Sequence, residues 1–134
     1  MCGIGLFLNV DIPENLLKLL RNRGPDFDRI ESIHEKGMAL NLVSTVLSHQ
    51  GENLTEQPLK SRDSRKVLMW NGEIYDHPDF THDISDSEWL TKFIEKSTNM
   101  EDWWKLSSEI RGEFAFVFLN LDSGDIIFGR DRLG

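Results

Sequence analysis

A chain of 134 residues, 39% apolar and 28% charged, has the make-up of one ordinary globular domain rather than of a disordered tract. Its formal charge of −8 is unevenly spread: residues 1–67 balance nine bases with nine acids, whereas residues 68–134 set six bases against fourteen acids. Such an acidic half repels phosphate backbones and anionic lipid surfaces, so neither nucleic acid nor a membrane is an expected partner.

The longest stretch without Lys, Arg, Asp or Glu, Gly37–Gly51, is too short and too polar to span a bilayer. The N-terminus lacks the basic region of a secretory signal. With one cysteine, Cys2, an internal disulfide is impossible, and a reducing, cytoplasmic setting is expected.

In chain order, Ile4–Val10 reads as a short buried strand. Pro13-Glu14 opens a helical pattern with Leu16, Leu17, Leu19 and Leu20, which Gly24-Pro25 stops. Arg29–His34 and Met38–Leu47 read as strands, and Gly51–Arg65 as a polar loop. Val67–Trp70 is strand-like and runs into Asn71-Gly72, a strong hairpin-turn signal. Ser87 is placed to cap a helix bearing Trp89, Leu90, Phe93 and Ile94, and a second helix covers Met100–Glu109. The adjacent Trp103 and Trp104 read as core and rim of that helix. Phe114–Leu121 is apolar on both alternating faces and must therefore be covered on both sides. Asp122-Ser123-Gly124-Asp125 turns the chain into a last strand, Ile126–Gly129. The pattern is α+β, with sheets packed between helical layers.

The most informative residue is Cys2. Once Met1 is removed, its thiol and the chain's α-amine belong to one residue, and an α-amine of pKa ~7.7–8.0 accepts a proton near neutrality. Nucleophile and base then coincide, as in N-terminal threonine enzymes. The plainer reading is a small apolar residue at a strand start. Asn71 and Gly72 offer a side-chain amide and a backbone N–H that together can form an oxyanion hole; residue by residue, the turn is the stronger reading. Glu73 and Asp86 are candidates for gripping a cationic ammonium group, against the usual fate of a solvated acidic face. The segment His77-Pro78-Asp79-Phe80-Thr81-His82-Asp83 matches no dedicated metal spacing, and no metal site is assigned.

Met1-Cys2-Gly3-Ile4, Arg23-Gly24-Pro25-Asp26, Gln57-Pro58-Leu59, Trp70-Asn71-Gly72-Glu73-Ile74-Tyr75, Ser85-Asp86-Ser87-Glu88, Gly112-Glu113-Phe114-Ala115-Phe116 and Gly129-Arg130-Asp131-Arg132-Leu133-Gly134 occur in this order. Together they resemble the class II glutamine amidotransferase domain of asparagine synthetase, closest in look to the asparagine synthetase domain-containing protein branch. The resemblance covers essentially the whole chain, residues 1–134, as one amidotransferase domain. It implies an N-terminal nucleophile hydrolase fold, a four-layer αββα sandwich. It further implies that Cys2 attacks the amide of glutamine, that Asn71 and Gly72 hold the oxyanion, and that Glu73 and Asp86 bind the α-ammonium group. Glutamate and ammonia are the implied products, with ammonia passed to a synthetase domain or subunit for asparagine biosynthesis. The glutaminase half then needs no cofactor, and ATP and Mg belong only to an attached or partnered synthetase. Arg23, Gly24 and Pro25 read as loop-shaping residues near the pocket, and Arg130-Asp131 as a structural turn with an ion pair.

Two departures stand out. The synthetases carry an arginine before the Gln-Pro-Leu motif that grips the substrate carboxylate; here the neighbourhood reads Leu47-Ser48-His49-Gln50-Gly51. Gln50 is the candidate neutral replacement, with Arg62 and Arg65 as candidate cations from the loop. The family's domain also continues past the Gly-Arg-Asp motif, so the sequence reads as truncated at its C-terminal end. A catalytically degraded domain kept as a binding or assembly module is the alternative.

Overall fold

A computed structural model describes residues 2–47, 55–81 and 83–133. The elements run β1 (Gly3–Leu8), α1 (Glu14–Arg23), β2 (Phe27–Glu35), β3 (Met38–Val46), β4 (Leu59–Lys60), β5 (Lys66–Asp76), α2 (Asp86–Lys96), α3 (Met100–Glu109), β6 (Arg111–Asn120) and β7 (Asp125–Arg130). They form a mixed α/β domain with three helices and two antiparallel sheets, ordered β1-β3-β2 and β4-β5-β6-β7.

The two-faced apolar pattern of β6 organises the interior. Phe114, Phe116 and Phe118 join Trp89, Leu90 and Ile94 of α2 and Trp103 and Leu106 of α3 in one buried cluster. On the opposite face Leu119 joins Val67 and Met69 of β5 and Leu40 and Leu42 of β3, with Ile4 and Leu6 of β1 packed against them. The second sheet is thus covered by α2 and α3 on one side and by the first sheet on the other. The outer face of the first sheet meets α1: the Thr45 hydroxyl donates to the Leu20 carbonyl at 2.8 Å. Gly24, which ends α1, lies so close to β3 that a Cβ there would come within 2.5 Å of the Thr45 and Val46 backbone.

Three expectations are corrected. Asn71-Gly72 is not a turn: β5 continues through both residues to Asp76, with Gly72 paired to Phe114. The α2 cap is Ser85 rather than Ser87, its hydroxyl accepting from the Glu88 N–H at 3.2 Å, and the Ser85–Glu88 spacing is the capping-box signal that marks it. The loop before β5 contains the short strand β4; residues 51–54 of that loop lie outside the described residues.

Trp103 is the centre of the aromatic core. Its ring lies 4.9 Å from Phe116, 4.5 Å from Phe118 and 5.0 Å from Phe93, and it is 1% exposed whereas Trp104 is 78% exposed. W103A should lower unfolding free energy by ~3–5 kcal/mol in chemical denaturation, while W104A should stay within ~0.5 kcal/mol of the parent. At the start of α3, Asp102 accepts from the Thr98 N–H at 2.6 Å and the Asn99 N–H at 3.3 Å. The Thr98 N–H foremost holds its carboxyl below the usual carboxylate range. Its stabilisation is therefore complete above the ordinary carboxylate pKa and lost as pH falls through the depressed folded value. D102N should flatten that part of the acid limb in a stability-versus-pH series.

Candidate active site

Strand alternation decides which residues meet. Ile4 and Leu6 of β1 face the second sheet, so Cys2, two residues earlier, projects to the same side. From β5, Val67 and Met69 face the first sheet, and Asn71 extends that row. At this end of the inter-sheet space the hydrophobic filling stops, and a cavity of about 590 Å³ opens, lined among others by Cys2, Asn71, Gly72 and Glu73. The Cys2 thiol is free and half-buried, and Arg23 Nε donates to the Cys2 carbonyl at 3.2 Å, fixing the backbone that carries the sulfur. Leu47 supplies apolar wall from the end of β3.

The ladder explains why Gly72 is available as a donor. Phe114, its β6 partner, gives its N–H to Asp131 Oδ2 at 3.0 Å and accepts the Asp131 N–H at 2.9 Å. The Phe114 backbone groups therefore point away from β5, and those of Gly72 point to the opposite edge. Along that edge Trp70 is closed by Gln57, whose amide donates to the Trp70 carbonyl at 2.7 Å and accepts the Trp70 N–H at 2.8 Å. Ile74 is closed by Asp86, which accepts its N–H at 2.7 Å. Among the described residues nothing closes the Gly72 N–H between them. A Cβ on Gly72 would lie 2.1 Å from the Glu113 carbonyl oxygen, so only glycine permits this pairing. The Asn71 side-chain oxygen is buried with no hydrogen-bond partner among the described residues.

The sequence-derived candidates thus divide. Cys2, Asn71, Gly72 and Glu73 share one cavity. Asp86 is not among its lining residues; as the first residue of α2 it anchors the edge of β5, where the register shifts between Ile74 and Asp76. Gln50 lies outside the described residues. Arg65 is committed elsewhere, to Glu35 at 3.0 Å, Asp122 at 2.8 Å and the Leu121 carbonyl at 2.9 Å. His77 is buried against Trp89, its Nδ1 accepting from the Asp79 N–H at 3.0 Å, and His82 lies outside the described residues. Glu113, Tyr75 and Arg130 also line the cavity, and none was singled out for it from sequence. Period-two counting from Asn71 and Ala115 would have found Tyr75 and Glu113, whereas Arg130 follows only from the pairing of β7 on β6.

Glu73 and Glu113 stand directly opposite one another on adjacent strands, an unfavourable like-charge pair. Their field reaches the Tyr75 phenol: partial burial first, then the charges of Glu113 and Glu73 and a hydrogen bond to Glu113, push its pKa above the ordinary tyrosine value.

A family model described as a glutamine amidotransferase domain matches residues 1–134. The chain belongs to this family. Over its full length the domain is 28% identical to asparagine synthetase domain-containing protein 1 of Homo sapiens, covering 22% of that protein. It is 29% identical to the glutamine-hydrolyzing asparagine synthetase B of Escherichia coli (strain K12), covering 26% of it, and 29% identical to the glutamine-hydrolyzing asparagine synthetase 2 of Oryza sativa subsp. japonica, covering 24%. The amidotransferase domain therefore spans about a quarter or less of each of these relatives' length. No helix among the described residues is long and apolar enough to cross a membrane.

Tyr75 is the chain's one tyrosine, so a phenolate absorbance titration reports on the site alone. The midpoint should lie above 10, because burial and two carboxylates disfavour the anion, and E113Q should move it down. An unchanged midpoint in E113Q would show that the two side chains do not interact.

Proposed function

We propose that this domain is the glutamine-hydrolysing half of an asparagine-synthetase-like protein, with Cys2 as nucleophile. The observation that carries the reading is the meeting of Cys2, Asn71 and Gly72 at one cavity, from separate sheets. The helix, sheet, sheet, helix succession built by α1, the two sheets and the α2–α3 pair supports the αββα form of the N-terminal nucleophile hydrolases.

In the proposed reaction Met1 is removed, leaving Cys2 with a free α-amine. That amine takes the thiol proton, directly or through one water, and Sγ attacks the side-chain carbonyl carbon of glutamine. The carbonyl oxygen becomes an oxyanion, which the Asn71 side-chain amide and the Gly72 N–H stabilise. Collapse of the tetrahedral species breaks the C–N bond; the ammonium on Cys2 returns its proton to the departing nitrogen, and ammonia leaves. Water then attacks the resulting thioester, giving glutamate and the free thiol. Of the two carboxylates assigned to the substrate ammonium by resemblance, Glu73 borders the cavity. Asp86 enters through its hold on the Ile74 N–H, which keeps the Gly72 edge in place. This half-reaction proceeds on a thiol and an amine without a cofactor. ATP and Mg, in this reading, serve a synthetase domain or subunit that consumes the ammonia in the cytoplasm.

The test is glutamate release from glutamine by protein whose intact mass confirms Cys2 at the N-terminus. C2A should abolish release, N71A should lower kcat by ~10²–10³, and protein retaining Met1 should be inactive because its base is tied up in an amide. Equal release by the parent and C2A, or none from protein with a confirmed N-terminal Cys2, overturns the reading.

A further inference from the structure

In the second sheet, Asn71 of β5 pairs with Ala115 of β6, and Ala115 pairs with Arg130 of β7. The three residues form one row across three adjacent strands, and side chains at directly paired positions project to the same face. Asn71, Ala115 and Arg130 all line the cavity, with the methyl group of Ala115 as low ground between two longer side chains. Arg23 is held at the Cys2 carbonyl, whereas Arg130 makes no hydrogen bond or ion pair with any described residue and is exposed at the end of β7.

We infer that Arg130 receives the α-carboxylate of the substrate, so that a zwitterionic amino acid is measured along this row. The inference rests on the glutamine reading above and names the residue that selects a free amino acid. Strands lie ~4.8 Å apart, which puts the Asn71 and Arg130 backbones about 10 Å apart. A substrate whose side-chain amide sits at Asn71 extends over Ala115, its carboxyl carbon about 5 Å from the amide carbon along four C–C bonds. The guanidinium stem of Arg130 spans the remainder, and its fork matches a carboxylate bidentately. The neighbouring row holds Glu73 opposite Glu113, about 7 Å along the strands. The ammonium group on the same α-carbon leans to that row, where a cation relieves the repulsion between the two acids. Opposite charges on the substrate thus meet opposite charges in the protein, in adjacent rows.

The experiment compares L-glutamine with its α-carboxamide, which has the same side chain but no carboxylate. Calorimetric titration and ammonia release, the product common to both ligands, are measured on the full chain with Cys2 as first residue. R130Q should weaken glutamine binding roughly 10- to 100-fold, scaled from the loss of one charge-paired partner at a partly exposed site, and leave the α-carboxamide unchanged. R130K, which keeps the charge and loses the fork, should fall between, and R132Q should behave as the parent. Near-ultraviolet circular dichroism checks that the variants are folded; if R130Q is not, R130K supplies the ratio. Equal loss for both ligands, or loss for neither, overturns the inference. Parent protein that binds glutamine without hydrolysing it removes the turnover reading, while the binding ratio still decides Arg130. Parent protein that binds neither ligand overturns the inference as well.

Discussion

The register of β5 on β6 is the constraint from which the site follows. A slip of one residue would turn Trp70 into the cavity and Asn71 into the aromatic core, because strand side chains alternate with period two. Several contacts hold the register. Trp70 stacks on Phe114 at 4.9 Å, so the bulky side chains of β5 are committed to the helical side. Gly72 is pressed against the Glu113 and Phe114 backbone where any side chain would collide. Gln57 and Asp86 close the free edge at Trp70 and Ile74, spaced so that the residue between them is the one left open. Packing, close approach and edge capping specify one alignment, and that alignment presents Asn71, Ala115 and Arg130 as a row.

Much of the scaffold is legible in the sequence because its signals are local and strong. The leucine pattern after Pro13, the apolar face of α2 and the doubly apolar β6 each correspond to an element in the structure. Asn71-Gly72 shows where local signals fail. The dipeptide favours a two-residue hairpin when nothing else competes, but here β6 offers partners on both sides of it and glycine alone tolerates the approach. Long-range pairing overrides turn propensity, as it commonly does in strands. Gln57 is another instance: a polar residue beside proline in a loop gives no hint that its amide substitutes for a missing strand next to Trp70. Only 5% of it is exposed, and its two hydrogen bonds to one residue copy what a neighbouring strand would have supplied.

The candidate site was legible to the extent that its residues lie in short motifs, and illegible where they converge through sheet topology. Cys2 draws attention as a lone cysteine at the chain start, and Glu73 by following Asn71-Gly72. Glu113 and Arg130 are ordinary surface charges until the strand order places Glu113 beside β5 and Arg130 one strand further on. The cations near Gln57 along the chain are Arg62 and Arg65, whereas the sheet brings Arg130 in from its far edge. Arg65 shows why proximity in sequence misleads: its guanidinium ties β2 to the β6–β7 turn through Glu35 and Asp122, a structural task at another part of the domain.

Three features that weaken the fold lie where the proposed chemistry needs them. The buried oxygen of Asn71, unpartnered among the described residues, the facing Glu73 and Glu113 and the open Gly72 edge each leave something for a ligand to satisfy. Other groups unpaired among the described residues lie outside the cavity lining, at Ser44 Oγ, Trp70 Nε1 and Trp103 Nε1, while α2 and α3 are capped and the edges on either side of Gly72 are closed. Unsatisfied groups at a cavity are what binding requires: groups already satisfied by the protein would have to break those bonds before meeting a substrate, and the ligand would gain only the difference. An amide and an ammonium held in one small molecule can satisfy these deficits together, and a carboxylate on the same molecule meets Arg130. A neutral apolar ligand of the same size would satisfy none, leaving the like charges opposed and the Asn71 oxygen unpaired. In the proposed reading, selectivity therefore arises as much from the groups the protein leaves unpaired as from its charge pairing with the substrate.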